Sequence, residues 1–119
     1  MASLNTFGAI ITYAIGLEEQ IAAYYKSAGI HDRAADAEKR RANLERVRRE
    51  YVVEIKLEPI EGLNEADYAL DLSDTSPAGQ QAVERTAAQF YQDVAPKINV
   101  REAERALNKC ARQHAELAG

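Results

Sequence analysis

Helix-breaking residues are concentrated in one stretch of this chain, and their distribution limits the fold more than any other feature. Pro59, Gly62 and a series of Asn, Asp and Ser residues interrupt positions 56–76. Elsewhere proline and glycine are scarce, and strong helix formers such as Ala, Glu and Arg predominate. The sequence therefore predicts two helical regions separated by one long connection.

In the first region, apolar residues recur at alternating steps of three and four, which indicates amphipathic helices. The pattern predicts helices over 4–28 and 32–55. Gly29 sits where a left-handed residue commonly ends a helix, and Asp32 is the candidate N-cap of the second helix. A turn as short as Gly29–His31 makes the two helices antiparallel neighbours.

The second region also predicts a pair of helices. Ser76–Pro77 provides an N-cap followed by a residue suited to the first helical position. That helix should end near Ala95, because Pro96 disfavours helical geometry in the residue before it. Asn99 with Glu102 resembles a capping box for the last helix.

Together these elements predict an all-α protein, a four-helix bundle in which two antiparallel helix hairpins are joined by a long crossover. The hairpins cover 4–55 and 77–118, the crossover covers 56–76, and a short helical turn is expected over Asn64–Leu70. At 119 residues the whole chain fits one domain.

Composition and charge argue against several classes of function. The net charge is −4, and the basic run over 33–49 is interleaved with glutamates at helical spacing. This spacing indicates an exposed face of ion pairs rather than a nucleic-acid interface. The apolar stretch Phe7–Leu17 is too short to span a membrane and lacks the basic start of a signal peptide. Cys110 is the only cysteine, so we expect a small buried core residue and a cytoplasmic protein.

An internal repeat links the two predicted hairpins. Glu18–Tyr25 aligns with Glu84–Tyr91 at an offset of 66 residues. In the second helices, Arg41–Leu44 aligns with His114–Leu117 at an offset of 73. Agreement in both helices of each hairpin predicts two copies of one structural unit.

Glu18 and Glu84 occupy equivalent places in this repeat, and both interrupt the apolar stripe of their helix. A carboxylate on a core stripe is costly unless it is paired, hydrogen-bonded, protonated or bound to metal. We therefore expect the two carboxylates to face each other inside the bundle. Tyr25 and Tyr91 are expected to be core residues whose hydroxyls have partners.

The spacing of Glu18 from Tyr25 and of Glu84 from Tyr91, with the predicted topology, resembles the rubrerythrin branch of the ferritin-like superfamily. In that family each hairpin carries such a glutamate on its first helix and Glu-x-x-His on its second. The two hairpins hold a pair of metal ions, usually iron. The resemblance implies a ferritin-like fold and places Glu18 and Glu84 among the metal ligands.

Each Glu-x-x-His motif of the family is half retained in this chain. By the same resemblance, Glu38 keeps the glutamate of the first motif while Arg41 replaces its histidine. In the second motif Ala111 replaces the glutamate and His114 keeps the histidine. Carboxylates with histidine suit iron, manganese or zinc. The implied metal ligands are Glu18, Glu38, Glu84 and His114.

Three functions are compatible with these residues. The first is a divergent metal protein, either iron-handling or a small oxidoreductase acting with dioxygen or peroxide. The second is a metal-free bundle that serves as a binding or scaffold subunit, in which the guanidinium of Arg41 neutralises the core glutamates. The third is a helical interaction module in which the repeat is coincidental. In each of them we expect a homodimer through the alanine-rich faces of the first and third helices, with His31 at a cap or in solvent.

Overall fold

Four α-helices make up most of the computed structural model, which describes residues 4, 6–51 and 62–119. No strand occurs in these ranges, so the predicted all-α class is confirmed for the described part of the chain. Two short 3-10 turns lie at Glu65–Tyr68 and Ala95–Lys97. The helices are α1 (Phe7–Ser27), α2 (His31–Tyr51), α3 (Pro77–Val94) and α4 (Arg101–Ala118).

Local hydrogen bonds satisfy the backbone at both ends of α1. Thr6 is the N-cap of α1, and its hydroxyl accepts a hydrogen bond from the amide of Ala9 at 3.0 Å. At the other end Gly29 has φ of 77°. Its amide bonds to the carbonyl of Lys26, and the next amide bonds to the carbonyl of Tyr25. This pattern is a Schellman motif, which closes α1 and reverses the chain within three residues.

The start of α2 differs from the prediction. The helix begins at His31, so Asp32 lies within its first turn and is not the N-cap. Its negative charge still favours this position, because unpaired amides give the N-terminus of a helix a partial positive charge. His31 is exposed. The predicted end of α2 at Ile55 falls outside the described residues.

In the second hairpin, the start of α3 agrees with the prediction and the start of α4 does not. The hydroxyl of Ser76 accepts from the amide of Gly79 at 3.3 Å, and Pro77 is the first helical residue, as predicted. The capping box at Asn99 and Glu102 is wrong, because α4 begins after Val100 with no side-chain cap. Glu102 lies in the first turn of α4 instead, where its charge favours the helix N-terminus.

Hydrogen bonds between the first two helices give their relative direction. Arg33 of α2 donates to the hydroxyl of Tyr25 in α1 at 3.2 Å. Seven residues later, Arg40 reaches Glu18, which lies seven residues before Tyr25. The two helices are therefore antiparallel. The second hairpin has the same arrangement, since Gln81 bonds to the carbonyl of Ala118 at the far end of α4.

The described part of the crossover runs along the bundle from one end to the other. The carbonyl of Leu63 accepts from the amide of Leu4, at the end where α1 begins. The carbonyl of Asp74 accepts from the hydroxyl of Tyr24 at 2.5 Å, at the end where α1 finishes. Residues 64–70 contain the expected helical turn, at Glu65–Tyr68. As a result α3 starts at the same end as α2 and runs in the same direction.

Gly79 is required where the crossover meets α3. A Cβ atom at this position would lie 2.0 Å from the carbonyl oxygen of Asp74, which is a backbone atom. Glycine therefore allows the chain before α3 to pass directly over its first turn.

The core consists of two apolar clusters on either side of a buried polar layer. In α1 the members of one cluster precede Glu18, and those of the other cluster follow it. The buried polar or charged residues of the described chain are Glu18, Arg40, Glu84 and His114. We refer to these four residues as the buried charge cluster.

Candidate functional site

Glu18 in α1 and Glu84 in α3 lie in the interior of the bundle. Neither side chain has any solvent-accessible surface. Both sit at core positions because their helices carry apolar residues three and four positions away, so the packing that buries the stripe also buries the carboxylates. Each carboxylate consequently needs partners from within the protein.

His114 of α4 joins the two carboxylates directly. Its Nε2 lies 2.7 Å from Oε2 of Glu18, and its Nδ1 lies 2.5 Å from Oε2 of Glu84. The ring is fully buried and stacks on Tyr91, with centroids 5.6 Å apart and planes inclined by 5°. A neutral imidazole offers one donor and one acceptor, whereas two ionised carboxylates require two donors. With both carboxylates ionised, this geometry corresponds to an imidazolium ion between them, in agreement with the raised pKa of His114.

Two tyrosine hydroxyls donate hydrogen bonds to the carboxylates, each from one hairpin to the other. The hydroxyl of Tyr25 in α1 donates to Oε1 of Glu84 at 2.7 Å. The hydroxyl of Tyr91 in α3 donates to Oε2 of Glu18 at 2.6 Å. Each tyrosine thus serves the glutamate of the other hairpin, so the repeat seen in the sequence is also present in the hydrogen bonds.

Arg40 of α2 supplies the second positive charge. Its Nε donates to Oε1 of Glu18 at 2.8 Å, and its Nη1 donates to Oε1 of Gln113 at 3.1 Å. The residue is only 5% exposed. Its Nη2 has no hydrogen-bond partner among the described residues. A buried donor left without a partner costs about 1–3 kcal/mol.

The charges within the cluster balance. Two carboxylates carry two negative charges, and the imidazolium and the guanidinium carry two positive charges. A buried pair is tolerated only when geometry and additional hydrogen bonds compensate for lost hydration. Here both tyrosine hydroxyls provide those additional bonds.

The titration of the cluster reflects this balance. Burial alone would raise the pKa of Glu18, but hydrogen bonding and charge from His114, the charge of Arg40 and the Tyr91 hydroxyl outweigh burial and lower it. Burial alone would lower the pKa of His114, but its bonds to Glu18 and Glu84 outweigh burial and raise it. Both shifts favour the ionised forms inside the folded protein.

Two further groups in this region are kept neutral. Burial, followed by the charge of Glu18, raises the pKa of Tyr91 well above its ordinary value. The same two causes raise the pKa of Cys110 to about 12. Cys110 is therefore a protonated, buried thiol. This agrees with the expected small core residue and not with a reactive thiolate.

Glu38 and Arg41, which the sequence placed in the site, lie elsewhere. The side chain of Glu38 is 53% exposed and forms an ion pair with Arg41 at 2.7 Å. Arg41 also pairs with Glu45 on the same face of α2. The prediction that Arg41 neutralises the core glutamates is wrong, because Arg40 occupies that place. The expected ion-paired surface of α2 is present, since Arg46 and Glu50 pair as well.

The error is one of register. Arg40 and His114 both point inward, so the two second helices correspond at an offset of 74 residues and not 73. One residue turns an α-helix by about 100°, which moves Arg41 from the interior to the surface. In the corrected register the Glu-x-x-His slot contains Ala37 before Arg40, and in α4 it contains Ala111 before His114. Ala37 and Ala111 are both buried, so each hairpin has an alanine at the interior position where the resemblance implies a glutamate.

A signal that identifies Arg40 is present in the sequence. Two residues equidistant from a tight turn lie side by side in an antiparallel hairpin. Glu18 and Arg40 lie eleven residues before and after Gly29, and Tyr25 and Arg33 lie four residues before and after it. Both pairs are hydrogen-bonded in the structure. Arg33 also lies over the ring of Tyr25, 5.5 Å from its centroid.

The donors in this layer do not fit the di-metal centre that the resemblance implies. Both ring nitrogens of His114 are bonded to carboxylates, so the ring presents no free lone pair. Arg40 adds a permanent positive charge against Glu18. In the described part of the chain, no group of three or more His, Cys, Asp and Glu residues is arranged to hold a metal ion.

Comparison with known protein families, with curated proteins and with solved structures finds no match to this chain. Across residues 4, 6–51 and 62–119, no helix combines the length and hydropathy that crossing a bilayer requires.

Proposed function

We propose that this protein is a divergent ferritin-like bundle, similar to the rubrerythrin branch, that works without a resident metal as a binding or scaffold subunit. In this proposal two protein cations replace the metal ions: His114 lies between Glu18 and Glu84, and Arg40 pairs with Glu18. The observation that supports it most strongly is the bridge from both nitrogens of His114 to the two carboxylates.

The inaccessibility of the cluster supports the same proposal. Glu18, Glu84 and His114 have no solvent-accessible surface in this structure. A metal-dependent oxidoreductase needs an open coordination position that substrate or oxidant can reach. The polar layer is instead suited to hold the four helices in one register, a role documented for some buried polar groups. The function then resides on the outer surface of the bundle.

Metal content tests the proposal directly. Protein expressed with iron, manganese and zinc available should contain less than about 0.1 metal ion per chain, because no free lone pair is presented. Metal near one ion per chain that disappears in Glu18→Gln would reject the proposal. The matched control is Glu38→Gln, which changes an exposed carboxylate and should not alter the metal content.

A gain-of-site experiment tests the corrected register. The combination Ala37→Glu, Arg40→His and Ala111→Glu restores the Glu-x-x-His slots of both hairpins. We expect this variant to bind iron while the parent does not. The matched control carries Arg41→His with Ala111→Glu, which follows the uncorrected register and should bind no better than the parent. Circular dichroism of both variants establishes that the bundle has folded.

A second candidate function is an iron-binding protein or small oxidoreductase acting with dioxygen or peroxide. The convergence of Glu18, Glu84 and His114 in one buried layer favours it. Iron would have to displace the imidazolium proton and separate His114 from the carboxylates. Stoichiometric iron in the parent protein, lost in His114→Gln, would establish this candidate and overturn the first.

A scaffold role also requires a partner, and we propose a second copy of the chain, bound through the alanine-rich faces of α1 and α3. Ala23 in α1 and Ala82 in α3 are exposed and small enough for close helix packing. Sedimentation analysis should show a dimer that Ala23→Glu or Ala82→Glu weakens, whereas Ala115→Glu on α4 should have no effect. A monomer at all concentrations contradicts this part of the proposal.

Charge and cysteine chemistry support the remaining parts of the proposal. Arg41 and Arg46 are engaged with glutamates, and the net charge is −4, so we propose no nucleic-acid partner. The single, reduced Cys110 is consistent with a cytoplasmic location, which we also propose.

A further inference from the structure

A groove between α2 and α4 is a feature of the bundle that the proposed function leaves unexplained. It encloses about 310 Å³, which is at the lower end of the range for small-molecule sites. Arg40 and Gln113, which are hydrogen-bonded to each other, both form part of its wall. The groove therefore lies directly beside the buried charge cluster.

Arg40 is only partly satisfied at this boundary. Its Nε is committed to Glu18 and its Nη1 to Gln113, while Nη2 has no partner among the described residues. A guanidinium carries five N–H donors, so several of its donors are unused. The residue is 95% buried, since only 5% of its surface is exposed. Such a group is normally completed by an acceptor, and Arg40 is one of the residues that line the groove.

The wall of the groove has the composition of a site for a small anion with an apolar part. Lys39 and Lys109 add two cations to that of Arg40, and Asp36 and Glu116 add two carboxylates. These four charges balance, so Arg40, which is also paired with Glu18, is the cation that distinguishes the wall. The apolar side of the groove is formed by Ala106, Cys110 and Leu117. Guanidinium groups bind carboxylate and phosphate oxygens in bidentate geometry.

We propose that the α2–α4 groove binds a small organic molecule through its carboxylate or phosphate group, with Arg40 as the primary anion-binding residue. The lysines at the rim attract the anion, and the apolar side contacts the rest of the molecule. This inference goes beyond the scaffold function and shares Arg40 with it, since Arg40 both pairs with Glu18 and lines the groove. The metal content tests the scaffold function, whereas the anion titration below tests the groove.

The full chain, labelled with ¹⁵N, allows a direct test by NMR at constant pH. Sodium butyrate and sodium phosphate are titrated separately, with sodium chloride at matched ionic strength as reference. We expect saturable shifts of the Arg40 Nε–H and Gln113 side-chain resonances with at least one oxyanion. The stronger of the two titrations identifies the group as a carboxylate or a phosphate. Shifts no larger than those with chloride for both salts would overturn the proposal.

Variants then locate the site. Lys109→Ala should weaken binding roughly three- to fivefold through loss of one nearby charge, whereas Lys97→Ala, exposed and outside the groove, should not weaken it. Equal weakening by both would indicate non-specific charge and reject the site. Arg40→Lys keeps a positive charge near Glu18 but replaces the three-nitrogen guanidinium with a single ammonium group, and should abolish binding. Should Arg40→Lys not fold, the comparison of Lys109→Ala with Lys97→Ala decides the question.

Discussion

The two hairpins contribute the same pair of residues from their first helices but different cations from their second. Glu18 with Tyr25 and Glu84 with Tyr91 are equivalent by sequence and by hydrogen bonding. The cation of the first hairpin is Arg40, which remains charged at any ordinary pH. The cation of the second hairpin is His114, whose charge can be lost with rising pH and whose pKa is raised by its hydrogen bonds to Glu18 and Glu84.

This difference determines how many cations contact each carboxylate of the buried charge cluster. Arg40 contacts one carboxylate, that of Glu18, whereas His114 contacts both. Glu18 is therefore supported by two cations and Glu84 by one. The second hairpin should be the more sensitive of the two to substitution and to pH.

The largest expected effect tests that asymmetry. His114→Ala should lower the free energy of unfolding by about 3–5 kcal/mol, because it leaves Glu84 buried without a cation. Arg40→Ala should cost less, since Glu18 keeps His114 and Tyr91. Urea denaturation measures both, and His31→Ala, at an exposed histidine, is the control. A greater cost for Arg40→Ala than for His114→Ala would contradict the asymmetry.

The reciprocal tyrosines should show a smaller and more nearly equal effect. Tyr25→Phe and Tyr91→Phe each remove one hydrogen bond to a charged carboxylate, worth roughly 1.5–3 kcal/mol of unfolding free energy. Denaturation of the two single variants and of the double variant measures their additivity. If the two costs differ by more than about 1.5 kcal/mol, which is the width of that range, the hairpins are not equivalent at this position.

The pH dependence of stability should originate in the second hairpin. The pKa of His114 is raised on folding, so its stabilisation is complete below the unfolded pKa of about 6.5 and is lost as the pH rises towards the folded pKa. The unfolding free energy should fall there by at most about 1.4 kcal/mol per pH unit. The slope should vanish in His114→Gln and persist in His31→Gln.

Protonation of Glu18 should lower the stability of the protein at acidic pH. Its pKa is lowered on folding, so its stabilisation is complete above the unfolded pKa of about 4.3 and is lost as the pH falls through the folded pKa. Stability from the cluster should therefore be greatest between about pH 4.3 and 6.5. A maximum well outside this window, measured by thermal unfolding across pH, would count against the assigned charge states.

The smallest expected effect is that of the surface arginine next to Arg40. Arg41→Ala removes exposed ion pairs with Glu38 and Glu45, which contribute little in water. Its melting temperature should stay close to that of the parent protein. A loss similar to that of Arg40→Ala would mean that the corrected register is wrong.

The sequence was sufficient for features that depend on local signals. Ser76–Pro77 specified the start of α3, and Gly29 specified the turn between α1 and α2. The apolar stripes of α1 and α3 placed Glu18 and Glu84 among core residues, where the structure has them. These features depend on the capping and turn residues of short segments and on helical periodicity, and both can be identified from a single sequence.

The register of α2 could not be obtained in the same way. Its inward stripe passes from Ala37 to Leu44 through either position 40 or position 41, and both are arginine. Periodicity alone does not separate steps of three and four. Packing against α1 decides the matter, because Arg40 stands level with Glu18 across the turn. The predicted cap of α4 was also misplaced, because the N-cap position is occupied by Val100, which has no capping side chain.

The exchange of donors between the hairpins has a consequence for how the bundle comes apart. Each tyrosine hydroxyl and the carboxylate it stabilises belong to different halves of the chain. Separating the halves removes a donor from both glutamates at once, so neither half can loosen while the other keeps its full set of bonds. The bundle should therefore melt in a single cooperative, all-or-none transition rather than one hairpin at a time.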